Sequence, residues 1–273
     1  MLTRAIPSSG EKLPVVGLGT WQVFDVGGSA GQRQPVEEVL SEFVKLGGRL
    51  IDSSPMYGRS EEVVGDLNAK LNLRDSLFLA TKVWTRGRQA GIDSMERSFT
   101  RMQATRMDLM QVHNLVDVAT QLATLRAWKE QGRVRYIGIT HYNSGAYAEV
   151  ERVLRSEHLD FLQINYSLGE READQRVLPL AQERGLAVIV NRPFGGDLLR
   201  RLRDAPLPDY AREFDCTSWP QFLLKWIVAH PAVTSVIPGT NKVPHLRENM
   251  SAGTGRLPDA EMRGRMAEMI ATC

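Results

Sequence analysis

Cysteine is scarce in this chain: there are only two, Cys216 and the final residue, Cys273. That excludes a disulfide framework, and no Cys-x-x-Cys exists to bind a metal or run redox chemistry. No metal is expected, and a reducing, cytoplasmic setting fits. Net charge is also scarce. Lys+Arg 34 against Asp+Glu 32 leaves +2, too balanced for a nucleic-acid binder. The densest basic cluster, Arg200, Arg201 and Arg203, reads as a solvated helix face. No run approaches the ~20 apolar residues needed to span a bilayer. The first residues, Met1-Leu2-Thr3-Arg4-Ala5-Ile6-Pro7, lack the apolar stretch of a signal peptide. A third glycine is missing as well. Gly17-Leu18-Gly19-Thr20-Trp21-Gln22 follows the first strand-like run, and a dinucleotide-binding turn of an open sheet would carry one more.

What is present is an alternation. With 273 residues and 42% hydrophobic content, the chain matches one (β/α)₈ barrel of ~250 residues. Ser8-Ser9-Gly10 is a turn signal between short runs, predicting an N-terminal β-hairpin. Apolar runs at 15–18, 49–51, 77–81, 107–112, 136–139, 161–164, 187–190 and 235–237 predict eight strands. Helical periodicity falls between them, at 35–46, 60–71, 91–104, 120–130, 146–156, 174–183 and 218–229. A helix at 243–250 follows the eighth strand, and an extra C-terminal helix is predicted at 258–270. Pro35 and Pro220 suit helix starts, where the missing N–H costs little. The stretch 195–217, with Pro206 and Pro208, reads as an inserted loop over the barrel mouth, and 27–31 as a flexible loop. Strictly alternating strands and helices predict a TIM barrel of one domain, 1–273.

Four polar residues stand at or near the ends of these runs: Asp52, Tyr57, Lys82 and His113. In a parallel barrel the carboxyl ends of the strands share one mouth, where chemistry takes place. Taken singly, each has a plainer role. Asp52 braces a loop, Tyr57 packs at a rim, Lys82 is a solvated strand end, and His113 is a bonded core imidazole. Together, on successive strands, they form a proton-transfer set. A tyrosine with its pKa near ~10 becomes a better acid beside a cation that stabilises the phenolate. Lys82 supplies the cation, Asp52 keeps it ionised, and His113 can hydrogen-bond a carbonyl oxygen. The set suits reduction of C=O.

The chain resembles the aldo-keto reductase family from about residue 13 to 252. The matching pieces are Gly17-Leu18-Gly19-Thr20-Trp21, Ile51-Asp52-Ser53-Ser54-Pro55-Met56-Tyr57-Gly58, Ala80-Thr81-Lys82-Val83, Asp108-Leu109-Met110-Gln111-Val112-His113 and Ile237-Pro238-Gly239-Thr240. The resemblance implies Tyr57 as general acid, Lys82 and Asp52 as its tuning pair, and His113 as the carbonyl-orienting residue. It also implies an NADP cofactor stretched across the mouth and a small-molecule carbonyl substrate. Carried over by motif, cofactor contacts fall on Gly19, Thr20, Trp21, Asp52, Thr140, His141 and Gln163. They continue through Asn191, Arg192, Pro193, Phe194 and Gly195, and end on Gly239, Thr240, Lys242, Arg247 and Asn249.

Three places depart from the family's pattern. Thr140-His141 stands where a Ser-Asn pair is usual. Asn191 holds the place of an aromatic residue that stacks on the nicotinamide, with Phe194 as the alternative stacking residue. His245 replaces a frequent arginine. The resemblance places substrate contacts on Trp21, Tyr57, Trp84, His113 and Asn114, with Phe24 and Leu115 as further wall residues. Two other functions stay open: a Schiff-base aldolase using Lys82, and a reductase-like barrel serving as a cofactor-binding regulatory subunit.

Overall fold

A computed structural model describes residues 1–271; Cys273 lies outside the described residues. The chain opens with an antiparallel hairpin, β1 (Thr3–Ala5) and β2 (Lys12–Pro14), in the register Arg4 to Leu13. Eight parallel strands follow: β3 (Leu18–Gly19), β4 (Leu50–Asp52), β5 (Phe78–Val83), β6 (Met107–His113), β7 (Val134–Thr140), β8 (Phe161–Asn165), β9 (Ala187–Asn191) and β10 (Val233–Val236). Neighbours in sequence are neighbours in the sheet. Bridges Val16 to Val236 and Gly19 to Gly239 bring its two ends together.

That seam explains two glycines. A Cβ on Gly17 would lie 2.8 Å from the Leu50 carbonyl oxygen, and one on Gly19 would lie 2.8 Å from that of Ile237. Only a residue without a side chain lets the short β3 approach both neighbours.

Alternation along the strands divides the barrel interior into two levels. Ile6 and Leu13 of the hairpin, with Leu50, Phe78, Ala80, Leu109, Tyr136, Phe161, Ala187, Ile189 and Ile237, form one apolar cluster. One pleat further along the same strands come Asp52, Lys82, Gln111, His113, Thr140, Gln163 and Asn191. The lower level is apolar and filled; the upper one carries polar groups.

Helices α1 (Ala30–Lys45), α2 (Ser60–Leu71), α3 (Arg88–Arg101), α4 (Val118–Glu130), α5 (Tyr147–Ser156) and α6 (Val177–Glu183) cover the outside, together with α7 (Leu198–Leu202), α8 (Trp219–Val228) and α9 (Val243–Ser251). The extra C-terminal helix is α10 (Ala260–Ala271), which buries Met266, Ala267 and Ile270. Asp108 and Asp160 brace neighbouring strands: their carboxylates accept the N–H groups of Leu79 and Ile137, at 2.8 and 2.9 Å.

Some boundaries differ from expectation. The first helix starts at Ala30, within the stretch read as a loop, so Pro35 sits inside it. Val36, Val39, Leu40 and Phe43 are buried along its inner face, and this packing outweighs one missing hydrogen bond. The 195–217 stretch is not an open loop over the mouth. It holds α7 and a 3₁₀ helix, Asp209–Phe214. Its later part packs on the outer layer: Phe214 and Tyr210 meet Phe222 of α8, and the Arg265 guanidinium lies over the Tyr210 ring.

Candidate active site

Successive strands deliver the polar set to one place. Asp52 ends β4, Lys82 is the fifth residue of β5, and His113 ends β6. Thr20, just past β3, pins the first of these. Its N–H and hydroxyl both donate to the Asp52 carbonyl, at 3.1 and 3.0 Å. Ser53 N–H donates to Ala80 O at 2.9 Å on the other side.

Lys82 is completely buried. Its ammonium donates to Asp52 Oδ2 at 2.5 Å and to Ser53 O at 2.6 Å. Nζ also lies 5.0 Å from the centre of the Tyr57 ring. Burial alone pulls the lysine down, but Asp52 and then Tyr57 outweigh it, so its pKa stands above the ordinary value. A buried cation held by a carboxylate stays charged.

Tyr57 sits in the turn after β4, its N–H bonded to Ser54 O at 3.0 Å. Burial raises its pKa, Lys82 opposes that by charge and hydrogen bonding, and Asp52 adds to the rise; the net direction is up. The phenol therefore keeps its proton at neutral pH, as a proton donor must.

His113 stands edge-on to Tyr57, ring centres 6.0 Å apart, and 6.4 Å from the Trp84 ring. Its Nδ1 is 3.2 Å from Ser54 Oγ. That hydroxyl also accepts from Met56 N–H at 3.4 Å and can still donate its own proton to Nδ1. The proton of the neutral imidazole then belongs on Nε2, a tautomer inferred from the network. Burial, then the charge of Lys82 and that of His141, lower its pKa to about 3. His113 is thus a neutral hydrogen-bond donor, not an acid.

An amide network joins this set to the next strands. Asp52 Oδ1 accepts from Gln163 Nε2 at 2.9 Å and Gln111 Nε2 at 3.3 Å. Gln163 Oε1 accepts from Thr140 Oγ1 at 3.1 Å and Asn191 Nδ2 at 3.4 Å. Sequence reasoning missed Gln111, which lies in an apolar run; its period-two spacing from His113 was the available signal.

The expected cofactor residues form an arc along the mouth. Gly19, Thr20 and Trp21 leave β3, and Trp21 is 58% exposed. Thr140 ends β7 with His141 just past it, Gln163 lies mid-way along β8, and Asn191 ends β9. Arg192 is in the left-handed region at φ 49 and pairs with Glu170 at 3.6 Å. Pro193 is buried, and Gly195 has φ 53. Gly239, Thr240 and Lys242 lead into α9, where Thr240 Oγ1 accepts from Lys242 N–H at 3.1 Å. Arg247 is held by Glu42 at 2.8 Å, and Asn249 is buried.

Three expected residues pack in or against the core. Phe194 packs against the core between sheet and helices, and Phe24 and Leu115 are buried in that same layer. The Phe24 and Leu115 side chains are taken up by that packing, while Phe194 stays half-buried. Asn114 follows His113 directly, with left-handed backbone at φ 52. The buried Oδ1 atoms of Asn114 and Asn191 have no partner. Unpartnered buried acceptors are costly, and they fit a polar ligand with donors of its own, as a nicotinamide carboxamide has.

Among the described residues no helix is long and apolar enough to cross a membrane, and no side-chain cluster suits a metal ion.

The sequence model of the Aldo/keto reductase family matches residues 15–268. A methylglyoxal reductase of Escherichia coli is 29% identical, over 96% of this chain and 93% of its own length. An NADH-specific methylglyoxal reductase of the same organism is 26% identical, over 93% and 95%. An aldo-keto reductase from Klebsiella pneumoniae, solved in complex with NADPH, superposes with a TM-score of 0.83 at 25% identity, over 99% of this chain and 96% of that one. Matched along nearly its whole length in both sequence and fold, the chain belongs to the aldo-keto reductase family.

Proposed function

We propose that this protein reduces an aldehyde or ketone to the alcohol, with NADPH as hydride donor and Tyr57 as general acid. The observation that carries the proposal is the buried chain from Asp52 through Lys82 to Tyr57, beside a neutral His113.

When bound, the cofactor would supply the hydride that adds to the carbonyl carbon. Thr140, Gln163 and Asn191 would hold its carboxamide, and Lys242 with the start of α9 would hold the phosphate of its adenosine end. His113 Nε2–H donates to the carbonyl oxygen and fixes its direction. Tyr57 gives its proton to that oxygen as negative charge develops there. The resulting phenolate is stabilised by Lys82, which Asp52 keeps charged. Trp21 and Trp84, both exposed at the rim, form apolar walls for the rest of the substrate. Asn114 adds a polar group.

NADPH is preferred over NADH in this proposal because Lys242 is exposed at the start of α9 and makes no ion pair among the described residues. It is available to the 2′-phosphate. The NADH-specific relative makes the preference worth measuring.

The aldolase alternative needs an uncharged, accessible lysine. Lys82 is neither, since its protons go to Asp52, Ser53 and Tyr57. A purely regulatory barrel would not require Tyr57. The test is NADPH oxidation over an aldehyde panel that includes methylglyoxal, with wild type and Tyr57→Phe. Turnover should fall by roughly 10²–10⁴-fold in the variant, with NADPH binding by fluorescence unchanged. Undiminished turnover in Tyr57→Phe would remove the tyrosine from its role.

A further inference from the structure

Gln111 is wholly buried in the barrel, yet only one end of its amide is satisfied. Nε2 donates to Asp52 Oδ1 at 3.3 Å, while Oε1 has no partner. An apolar side chain of similar volume would fill the same space without that penalty. The amide cannot be reversed, because Oε1 would then face the carboxylate. In the sheet register Gln111 is paired with Lys82, and its side chain joins the upper, polar level with His113.

Asp52 uses its two oxygens differently. Oδ2 takes Lys82; Oδ1 takes Gln163 and Gln111. Gln163 has a second duty on the reductase function proposed above, on which this inference rests. Its oxygen already accepts from Thr140 and Asn191, and its remaining N–H is what it has left for a carboxamide. A residue drawn toward the cofactor is a poor fixed anchor for Asp52. Gln111 has no such duty.

We infer that Gln111 is a positioning residue: it holds Oδ1 of Asp52 throughout the reaction, so that Oδ2 stays on Lys82 and Lys82 stays charged against Tyr57. It touches neither substrate nor cofactor. The charged and titratable groups around Lys82 are Asp52 from β4, Tyr57 from the following turn and His113 from β6, and His141 after β7 acts on His113. Loosening Asp52 weakens the contact that keeps the ammonium ionised. Lys82 then loses its proton at lower pH, and the basic limb of the reduction profile moves down.

The test uses Gln111→Met, of similar volume and without a donor. In the folded variant kcat should fall about three- to tenfold, with the basic limb displaced by about half a pH unit or more. NADPH affinity by fluorescence should stay within about twofold, since Gln163 is untouched. A fall in kcat with the limb unmoved makes the role merely structural and overturns the inference, as does loss of NADPH affinity with kcat preserved. Gln111→Glu provides a second arm. Its side chain donates only when protonated, so activity should recover as pH falls; equal loss at every pH overturns the inference. A lysine-ε-¹³C NMR titration of wild type and Gln111→Met reads Lys82 without turnover. If no carbonyl is reduced by the wild type, the reductase function fails, and the NMR shift alone decides the role of Gln111.

Discussion

Acid should unfold this protein partly through His113. The imidazole is held at about 3 in the folded chain, against an ordinary value near ~6.5 in an unfolded one. The folded state therefore stays neutral where the unfolded state takes up a proton. Stability contributed by the neutral form is complete above about pH 6.5 and is lost as pH falls toward 3. Between pH 7 and 4.5 the loss is about 2.5 kcal/mol, from 1.36 kcal/mol per unit of pKa difference. His113 is only 5% exposed, so solvent screening does not erase the effect. Urea unfolding of wild type and His113→Gln at both pH values isolates it. The glutamine retains hydrogen bonding and does not titrate. Contributions from carboxylates cancel between the two proteins. The stability gap at pH 7 should narrow or invert by about 2.5 kcal/mol at pH 4.5. A gap that changes by less than about 0.5 kcal/mol would refute the neutral, desolvated imidazole.

Two further perturbations address the seam and the cofactor shelf. Gly19→Ala places a methyl 2.8 Å from the Ile237 carbonyl oxygen, and should cost about 1–3 kcal/mol in thermal or urea unfolding; Gly264→Ala in α10, where no atom lies within 4 Å, is the control and should not destabilise. An unchanged Gly19→Ala would mean that the seam yields freely. Lys242→Ala should weaken NADPH binding about tenfold, the effect of one charge-assisted contact, and leave NADH binding as it was. An equal loss for both dinucleotides would show that Lys242 does not read the 2′-phosphate.

The barrel was legible in the sequence because eight short apolar runs alternate with helical periods, several of the runs closing on a polar residue. Asp52, Lys82 and His113 stand at those endings, and the structure gathers them with Tyr57. What was not legible depends on partners distant in sequence. Phe24 and Leu115 are apolar residues near the mouth in sequence, but they turn into the helix-facing core. Phe194 packs against that core while staying half-buried. Pro35 suggested a helix start because a proline costs little there; buried side chains beyond it anchor a helix that begins five residues earlier, at Ala30. Gln111 hid in Leu109-Met110-Gln111-Val112, since one polar residue in an apolar strand shows its role only when its neighbour across the sheet is known to be Lys82.

The hairpin at the foot of the barrel bears on the chemistry at the other end. Ile6 and Leu13 are fully buried there, above them lies an apolar layer, and only then come the charges. The interior is a blind well, open to water from one side. Whatever fills the mouth also acts as its stopper, and removes the water that reaches Tyr57. The attraction between Lys82 and a forming phenolate is weakest while the well is open and strengthens when it is filled, as the effective dielectric constant falls from that of water, ~80, toward ~20. In the proposed reaction, that stronger attraction offsets the rise in pKa that burial alone gives the Tyr57 phenol.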